Sequence, residues 1–326
     1  MWVGTSLIAP HTPEMPRDIA VTAFVTGAAG GLGTALITAL RAQGCQVSGL
    51  AESTEGAQRV RRAGAVPVLG SLLEPGPWQD QAVADWVFHL PPGPLDEARL
   101  TRRRARSIGR VRLRMDSQLL DALAGSATRR IVYVADTSCY GPVGARPVTE
   151  DEPPRPSALG RIFAPALEQL NCYIAAGLPI ATALPGLMYG HSSWFRACVV
   201  EPVMGGRRVL QFGPTGAWVS AIHVEDCARA LVHLAEHGKP GGRYFLVNDD
   251  PVRTHELASA FARVARRRFR AWRLPMWIAS LAIGGALADF ITADAVFSNI
   301  RLRGLGFRFR YPALEEGLLQ VARSTS

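Results

Sequence analysis

Several features that mark secreted or metal-binding proteins are missing from this sequence. The five cysteines are odd in number and none has C-x-x-C spacing, so neither a disulfide framework nor a structural zinc site is expected. Free thiols suit a reducing compartment, and no internal repeat or low-complexity segment interrupts the chain. We therefore expect a folded cytoplasmic protein that carries no metal ion.

The sequence also lacks a segment suited to secretion or to a membrane span. Residues 1–18 contain three prolines but no basic stretch followed by an apolar core, which predicts a loose leader and no secretory signal. The longest apolar stretch, Leu274–Ala288, is short for a bilayer and is interrupted by Pro275, Gly284 and Gly285. A buried helix is predicted there, and no membrane partner is expected.

Acidic residues are too few to balance the basic ones. The chain has 36 Lys and Arg against 27 Asp and Glu, a net charge of +9, and arginine supplies nearly all of the excess. No nucleic-acid motif accompanies this charge, so nucleic acid is not a predicted partner. Seven arginines fall within Thr101–Arg114. This run predicts a solvated or interface face, with contact to an anionic partner as the alternative.

The sequence does contain a strong α/β pattern. The apolar run Ala20–Thr26 leads into a glycine-rich turn, a helical stretch Leu32–Ala42 and a second apolar run Cys45–Ala51, which together predict a βαβ unit. Further strands are predicted at Ala65–Leu69, Trp86–Leu90, Arg130–Ala135, Pro179–Leu184 and Arg243–Val247. Continuous apolar strands favour a doubly wound parallel sheet with helices on both faces.

The glycine-rich turn predicts a dinucleotide site. Gly27 allows a tight turn out of the strand, Gly30 lets the backbone approach a pyrophosphate, and Gly33 lets helix and strand pack closely. The phosphates are expected on backbone amides at the helix start, where the helix dipole favours anions. The predicted contacts at this turn are Gly27, Ala29, Gly30, Gly31, Leu32 and Gly33.

Glu52 bears on which nicotinamide cofactor binds, because it follows the second predicted strand. A carboxylate there would bind ribose hydroxyls and repel a 2′-phosphate, which favours NAD. Arg59, Arg61 and Arg62 lie nearby in the sequence and leave NADP open.

Seven motifs occur in an order and at spacings that point to one family. They are TGAAGGLG at 26–33, VFHL at 87–90, LLDAL at 119–123, VYVADTSCYG at 132–141, LPGLMYG at 184–190, IHVEDCARAL at 222–231 and GFRFRYPALEEGL at 306–318. With them the chain resembles the extended short-chain dehydrogenase/reductases, the family of NAD-dependent sugar-nucleotide epimerases and dehydratases. The resemblance implies a nicotinamide cofactor and a small-molecule substrate, and it suggests a homodimer.

The resemblance also implies a division of the chain. Residues 19–185 would form a dinucleotide-binding Rossmann domain, with a return segment near 222–250. Residues 186–326 would form mostly a smaller substrate-binding lobe over the carboxyl ends of the strands. Cofactor contacts implied at other strand ends are Ser71, Leu72, Leu90, Pro91, Pro185 and Leu187.

The catalytic groups of that family are missing. Its members use a Ser or Thr, a Tyr and a Lys, the last two in a Y-x-x-x-K pair. Asp136 stands at the Ser/Thr position, Leu159 at the tyrosine position and Phe163 at the lysine position. Leu and Phe cannot transfer protons, so proton transfer must use other groups.

Three residues near the fifth predicted strand are candidates for that role. Asp136 would lie in the crevice as a general acid or base, with a pKa raised by partial burial, or would simply cap the next loop. Thr137 could orient a substrate oxygen, and Tyr140 is either catalytic or a packing residue. Candidate substrate contacts in the lobe are Tyr189, His191, Arg207 and Trp218.

Three functions remain open from the sequence. The first is an NAD(P)-dependent oxidoreductase of the epimerase/dehydratase type with an altered catalytic group. The second is a non-redox isomerase, lyase or cyclase that reuses the same frame. The third is a non-catalytic protein that senses a dinucleotide.

Overall fold

A computed structural model describes residues 20–93, 99–142, 144–190, 193–212, 216–291 and 293–325. The strands are β1 (Thr22–Val25), β2 (Gln46–Ala51), β3 (Val66–Leu69), β4 (Trp86–His89), β5 (Arg130–Val134), β6 (Gly144–Val148), β7 (Ile180–Pro185), β8 (Leu187–Tyr189), β9 (Val209–Phe212), β10 (Trp218–Val219), β11 (Ala221–His223), β12 (Arg243–Leu246), β13 (Val252–Arg253), β14 (Ala271–Leu274) and β15 (Ala295–Phe297).

The helices complete the chain order. They are α1 (Gly31–Ala42), α2 (Thr54–Arg62), α3 (Trp78–Gln81), α4 (Arg102–Leu123), α5 (Gly160–Ala175), α6 (Ser193–Phe195), α7 (Glu201–Met204), α8 (Val224–His237), α9 (Thr254–Val264), α10 (Met276–Ile283), α11 (Gly285–Ile291), α12 (Ile300–Gly304) and α13 (Leu314–Thr325). A 3₁₀ turn covers Thr137–Tyr140 and a π-helical turn covers Arg196–Val200.

The centre of the molecule is a seven-stranded, all-parallel sheet in the order β3-β2-β1-β4-β5-β7-β12. The strand order reverses between β1 and β4, and crevices for ligands form at the carboxyl ends of strands at such a point. Each of the strands predicted from apolar runs overlaps one strand of this sheet. The prediction of a Rossmann-type α/β fold is confirmed.

Apolar periodicity explains how the helices cover the sheet. In α1, Leu36, Ile37 and Leu40 recur at helical spacing and are buried. Helix α8 packs against α1 with an almost wholly buried face that includes Leu231 and Leu234. The two helices cover strands on one face of the sheet. A ligand is therefore expected at the carboxyl edge of the strands and not on this face.

Short strands build the second part of the molecule. They pair as β13-β10-β15-β6, β11-β8 and β14-β9. Strand β6 lies within the residues predicted for the Rossmann domain, yet it pairs with β15 near the C-terminus. The chain therefore crosses between the two parts more than once.

The prediction of one buried helix over Leu274–Ala288 is wrong. The stretch forms α10 and α11, separated at Gly284, where φ is +89° and an added Cβ would lie 2.5 Å from the Leu100 carbonyl oxygen. Ala286, Leu287 and Ala288 of α11 are buried, but Trp277 and Leu281 of α10 are each 69% exposed. Within the described ranges, no helix has the length and apolar character needed to cross a bilayer.

Candidate cofactor and active site

The glycine turn after β1 is held by close backbone contacts. Gly27 has φ +62°, and an added Cβ would lie 2.3 Å from the carbonyl oxygen of Leu90. A Cβ on Gly33 would lie 2.3 Å from the carbonyl oxygen of Gly27. The Gly30 amide donates to that same oxygen at 3.0 Å. Gly27, Gly30 and Gly31 are exposed, so the turn presents open backbone at the carboxyl edge.

The start of α1 offers unpaired amides to an anion. Gly30 supplies no side-chain cap, and no acidic residue lies in the first turn. The first helical hydrogen bond runs from the Thr34 amide to the Gly30 oxygen at 2.9 Å, so the amides of residues 31–33 have no acceptor within the helix. Leu32 and Ala29 are half-buried beside them. The residues present therefore fit a pyrophosphate group.

Glu52 is exposed directly after β2. The neighbouring Ser53 caps α2, since its Oγ accepts from the Gly56 amide at 3.1 Å. On that helix Arg59 is paired with Glu55 at 3.1 Å. Arg59 is thus paired with a carboxylate of its own helix. Glu52 is the charged residue that directly follows β2 in the sequence.

The other predicted cofactor contacts follow strands of the same sheet. Ser71 accepts from the Leu73 amide through its Oγ at 3.2 Å, and Leu72 is buried. Leu90 and Pro91 are buried, and Pro185 and Leu187 are half-buried. Because the strands are parallel, the structure brings this whole set to the carboxyl edge.

Asp136 lies just past β5 at that edge and is half-buried. Its Oδ1 accepts from the Ser138 amide at 2.7 Å and so caps the 3₁₀ turn, as the structural interpretation predicted. Desolvation raises the pKa of Asp136 above its ordinary value, while hydrogen bonds from Ser138 and the charge of Arg112 oppose the rise. Thr137 is half-buried next to it.

Tyr140 is a packing residue in this structure. Its ring is buried and lies edge-on to Phe245, with 4.9 Å between ring centroids, and to Phe297 at 6.3 Å. Desolvation raises the pKa of Tyr140, so the phenol stays protonated at neutral pH.

The two positions predicted for the family's Tyr and Lys are apolar and enclosed. Leu159 and Phe163 are buried at the start of α5 and form a cluster with residues of α4 and α11. Helix α5 presses on the Asp136 turn, because a Cβ on Gly160 would lie 2.1 Å from the Ser138 carbonyl oxygen. The turn that begins at Asp136 thus packs against the start of α5, where Leu159 and Phe163 are apolar.

Sequence reasoning missed a buried cation next to Phe163. The guanidinium of Arg112, which is 5% exposed, donates to the Tyr133 hydroxyl at 3.0 Å and to the Val134 carbonyl at 2.8 Å. Its Cζ lies 5.8 Å from the ring centroid of Phe163. The predicted solvated face of α4 is therefore wrong at Arg112, although the other six arginines of the run are exposed.

Arg112 belongs to a network that reaches the glycine turn. Asp116 accepts from the Tyr133 hydroxyl at 2.6 Å and lies 2.8 Å from Nε2 of His89. The other ring nitrogen of His89 lies 2.7 Å from Oγ1 of Thr26. A carboxylate oxygen accepts, so Nε2 of His89 donates to Asp116; in the neutral imidazole Nδ1 then accepts from Thr26. The network links β1, β4, β5 and α4.

The signal for this network was present in the sequence. Arg112 and Asp116 are four residues apart and share the buried stripe of α4 with Leu119 and Leu123. Burial acts against the charge of Arg112, but Tyr133 and Asp116 raise its pKa overall.

The candidate substrate contacts in the lobe do not form one open site. Tyr189 is fully buried against Phe195 and His223, and a Cβ on Gly317 would lie 2.3 Å from its hydroxyl. Desolvation raises the pKa of Tyr189. This tyrosine is enclosed by α13, which sequence spacing could not indicate.

Trp218 and Arg207 differ in their surroundings. Trp218 is half-buried, and the Arg253 guanidinium carbon lies 4.4 Å from its ring centroid. Arg207 is exposed before β9. His191 lies outside the described residues.

Lys239 is the only lysine of the sequence, and it follows α8 at the opposite edge of the sheet, away from Asp136. Among the described residues, His233, Glu236 and His237 have potential metal ligand atoms within 4.8 Å of one another. They occupy the end of α8, just before β12 begins, and so also lie away from the carboxyl edge.

Comparison with known proteins identifies the family. The NAD dependent epimerase/dehydratase family matches residues 23–247, and the chain belongs to this family. The family resemblance inferred from the motifs is confirmed, and a nicotinamide cofactor is confirmed as the cofactor of the family.

Among individual proteins, the chain is similar to a 4-hydroxy-2-methyl-3-oxo-4-farnesyl-3,4-dihydroquinoline-1-oxide ketoreductase of Stigmatella aurantiaca. The two are 27% identical over 292 residues, which cover 86% of this chain and 84% of that protein.

Solved structures share the fold at lower identity. The NAD complex of Thermus thermophilus UDP-glucose 4-epimerase has a TM-score of 0.77 at 21% identity and covers 93% of this chain and 98% of its own. The dTDP-glucose 4,6-dehydratase of Streptomyces venezuelae, solved with NAD, has a TM-score of 0.79 at 17% identity, with coverages of 93% and 96%.

Proposed function

We propose that this chain is an NAD-dependent oxidoreductase that interconverts a ketone and a secondary alcohol on a small molecule, with Asp136 exchanging the proton. One observation carries the proposal. A half-buried carboxyl with a raised pKa stands at the carboxyl end of β5, beside a wall in which Leu159 and Phe163 replace the usual proton-transfer pair.

The glycine turn would hold the dinucleotide. The free amides of residues 31–33 bind its pyrophosphate, and Glu52 binds the adenosine ribose and disfavours a 2′-phosphate. When bound, the nicotinamide supplies or accepts hydride. The predicted contacts after β3, β4 and β7 complete this proposed site at the same edge.

Asp136 would act as the general acid in reduction. Its raised pKa keeps a larger fraction of the carboxyl protonated near neutral pH than an ordinary aspartate has, so it can donate a proton to the substrate carbonyl oxygen. In the opposite direction the ionised carboxylate accepts the alcohol proton. Thr137 would orient the same oxygen, and Arg112 would stabilise Asp136 after it loses the proton.

The relative from Stigmatella aurantiaca supports ketone reduction. It is named as a ketoreductase and aligns over most of both chains, whereas the epimerase and dehydratase structures are less identical to this chain. Tyr140 and Tyr189 are enclosed, so we assign them packing roles. Arg207 and Trp218 remain the candidate substrate contacts of the lobe.

Titration calorimetry with NAD, NADH, NADP and NADPH tests the cofactor site. We expect one pair to bind, with NAD and NADH preferred. Failure of all four to bind would remove the redox proposal.

Asp136→Asn tests the chemistry. The amide oxygen can still accept from Ser138, so the turn is kept, while proton transfer is lost. We expect kcat for ketone reduction to fall roughly 10²–10⁴-fold with NADH binding intact. Glu168→Gln, at an exposed position on α5, is the matched control and should be neutral. A fully active Asp136→Asn enzyme would exclude Asp136 as the acid.

The pH profile gives the same test a second readout. Because the protonated form of Asp136 is the active one in reduction, kcat should be highest at low pH. It should decline as pH rises through a pKa above that of an ordinary aspartate. The residual rate of Asp136→Asn should lack that decline.

A second candidate is a protein that binds the dinucleotide without turnover. The apolar enclosure of Leu159 and Phe163 favours it, since nothing polar remains at those positions. Tight NADH binding without turnover of any ketone or alcohol, in wild type as in Asp136→Asn, would support this candidate.

A further inference from the structure

Strands β9 and β14 of the C-terminal part carry an exposed cationic cluster. Arg207 and Arg208 precede β9, and four exposed arginines, at positions 266–268 and 270, precede β14; the cluster takes in the last three of these. The two strands are parallel, with Ala271 opposite Val209, so both groups lie at the same end of the pair. We call the whole area the β9–β14 surface; its members are Arg207, Arg208, Leu210, Arg267, Arg268, Arg270 and Trp272.

The charge of this surface is uncompensated. The sequence has no acidic residue between Glu201 and Glu225, nor between Glu256 and Asp289. Glu201 and Glu315, the nearby carboxylates, are already paired with Arg196 and Arg263. No ion pair joins the five arginines to a carboxylate in the ranges that the structure describes.

Large apolar side chains stand next to these arginines. Leu210 and Trp272 face each other in register across the two strands and are 51% and 53% exposed. Five residues after Trp272, and so at most about 18 Å away along the chain, α10 exposes Trp277 and Leu281 on one helical face. Single exposed apolar residues are ordinary, but a paired Trp and Leu beside unpaired arginines mark an interaction surface.

We propose that the β9–β14 surface docks this protein on an anionic lipid bilayer. The arginines would lie at the headgroups, and Trp272 and Leu210 would enter the interface. The sequence analysis predicted no membrane partner because the sequence has no segment suited to span a bilayer. The pairing of β9 with β14, which forms this surface, is not visible in the sequence. Docking goes beyond the proposed reaction and does not depend on it.

Other partners match the surface less well. A symmetric contact with a second copy of this chain would bring the arginines against the same arginines. Nucleic acid would match the charge but would leave Leu210 and Leu281 without an apolar partner. A bilayer offers anionic groups and an apolar layer at adjacent depths, which is the arrangement that this surface needs.

The first test is co-sedimentation of the full chain with vesicles. We expect binding to phosphatidylcholine vesicles containing about one-third phosphatidylglycerol, weaker binding to pure phosphatidylcholine, and a loss of binding as salt is raised. Vesicle binding that depends neither on the anionic lipid content nor on the salt concentration would overturn the proposal.

Matched variants locate the binding. Arg267→Gln/Arg268→Gln/Arg270→Gln should lower the vesicle partition coefficient on the order of a hundredfold. The control, Arg103→Gln/Arg106→Gln/Arg110→Gln, removes the same charge from exposed positions on α4. Equal losses in both variants would show that only net charge matters and would refute the surface.

The apolar contribution has its own pair of variants. Leu210→Ser/Trp272→Ser should lower binding severalfold, whereas Val66→Ser/Ile300→Ser, at positions 65% and 73% exposed, should not. Both should keep the wild-type circular dichroism spectrum and NADH affinity.

Two further outcomes would assign the surface to another partner. If Leu210→Ser/Trp272→Ser changes the oligomeric state in size-exclusion chromatography, the surface is a protein interface. If the arginine variant loses binding to single-stranded RNA while vesicles do not bind wild type at all, the surface belongs to nucleic acid.

Discussion

The glycine turn after β1 and the start of α5 lie at the same edge of the sheet, but the turn offers exposed backbone whereas the start of α5 is apolar and buried. At the turn, an added Cβ on Gly27 or Gly33 would collide with a backbone oxygen. At α5, Leu159 and Phe163, the positions that the resemblance predicts for the family's polar pair, pack into an apolar cluster. Under the proposed function, the cofactor half of the cleft keeps the glycine turn, and the proton-transfer half uses groups from other elements.

The difference has a physical basis. Backbone amides bind a pyrophosphate whatever the side chains are, so the turn is constrained mainly by space. Proton transfer needs one side chain of suitable pKa, which another element can supply. Here the charges beside α5 come from α4, through Arg112 and Asp116, and the acid that we propose is Asp136.

Removal of Arg112 should have the largest effect, a loss of stability in the network beside α5. Arg112→Met leaves the buried carboxylate of Asp116 without its nearest cation, and we expect the free energy of unfolding to fall by about 3–5 kcal/mol. Urea denaturation measures the change. Arg110→Met, exposed on the same helix, should change it by less than about 0.5 kcal/mol. An equal effect of the two variants would show that the network does not stabilise the fold.

Gly33→Ala should distort the glycine turn after β1. The new Cβ would lie 2.3 Å from the Gly27 oxygen, so the turn must shift. We expect a loss of about 1–3 kcal/mol in stability, typical of overpacking, together with weaker NADH binding. Titration calorimetry measures the NADH affinity, and thermal unfolding measures the loss of stability. In Gly304→Ala the Cβ meets open space, so NADH affinity should not change. Unaltered affinity in Gly33→Ala would place the cofactor elsewhere.

The smallest expected effect concerns cofactor choice. Glu52→Arg replaces a repulsive charge with an attractive one near a 2′-phosphate, and exposed charges contribute about 1 kcal/mol or less. The ratio of NADPH to NADH affinity should therefore rise by roughly tenfold at most. Glu168→Arg, with the same charge change on α5, should leave the ratio as it was. A ratio unmoved by Glu52→Arg would mean that Glu52 does not face the ribose.

The central sheet could be predicted because its strands are continuous apolar runs, such as Arg130–Val134, that turn residues separate. The second part of the molecule was harder. Strands such as β10 and β13 have two residues each, too few for any periodicity. The stretch Leu274–Ala288 misled because apolar composition does not tell a buried helix from an exposed one.

The sequence by itself determined the family, the parallel sheet and the glycine turn, because these follow from local spacing and from backbone sterics. It also predicted that Leu159 and Phe163 replace the family's Tyr and Lys, which stays a prediction. Only the tertiary structure decided what stands beside Asp136, how Arg112 is buried and why Tyr189 is closed off by Gly317. Such contacts join segments far apart in the chain, and no local pattern encodes the distance between them.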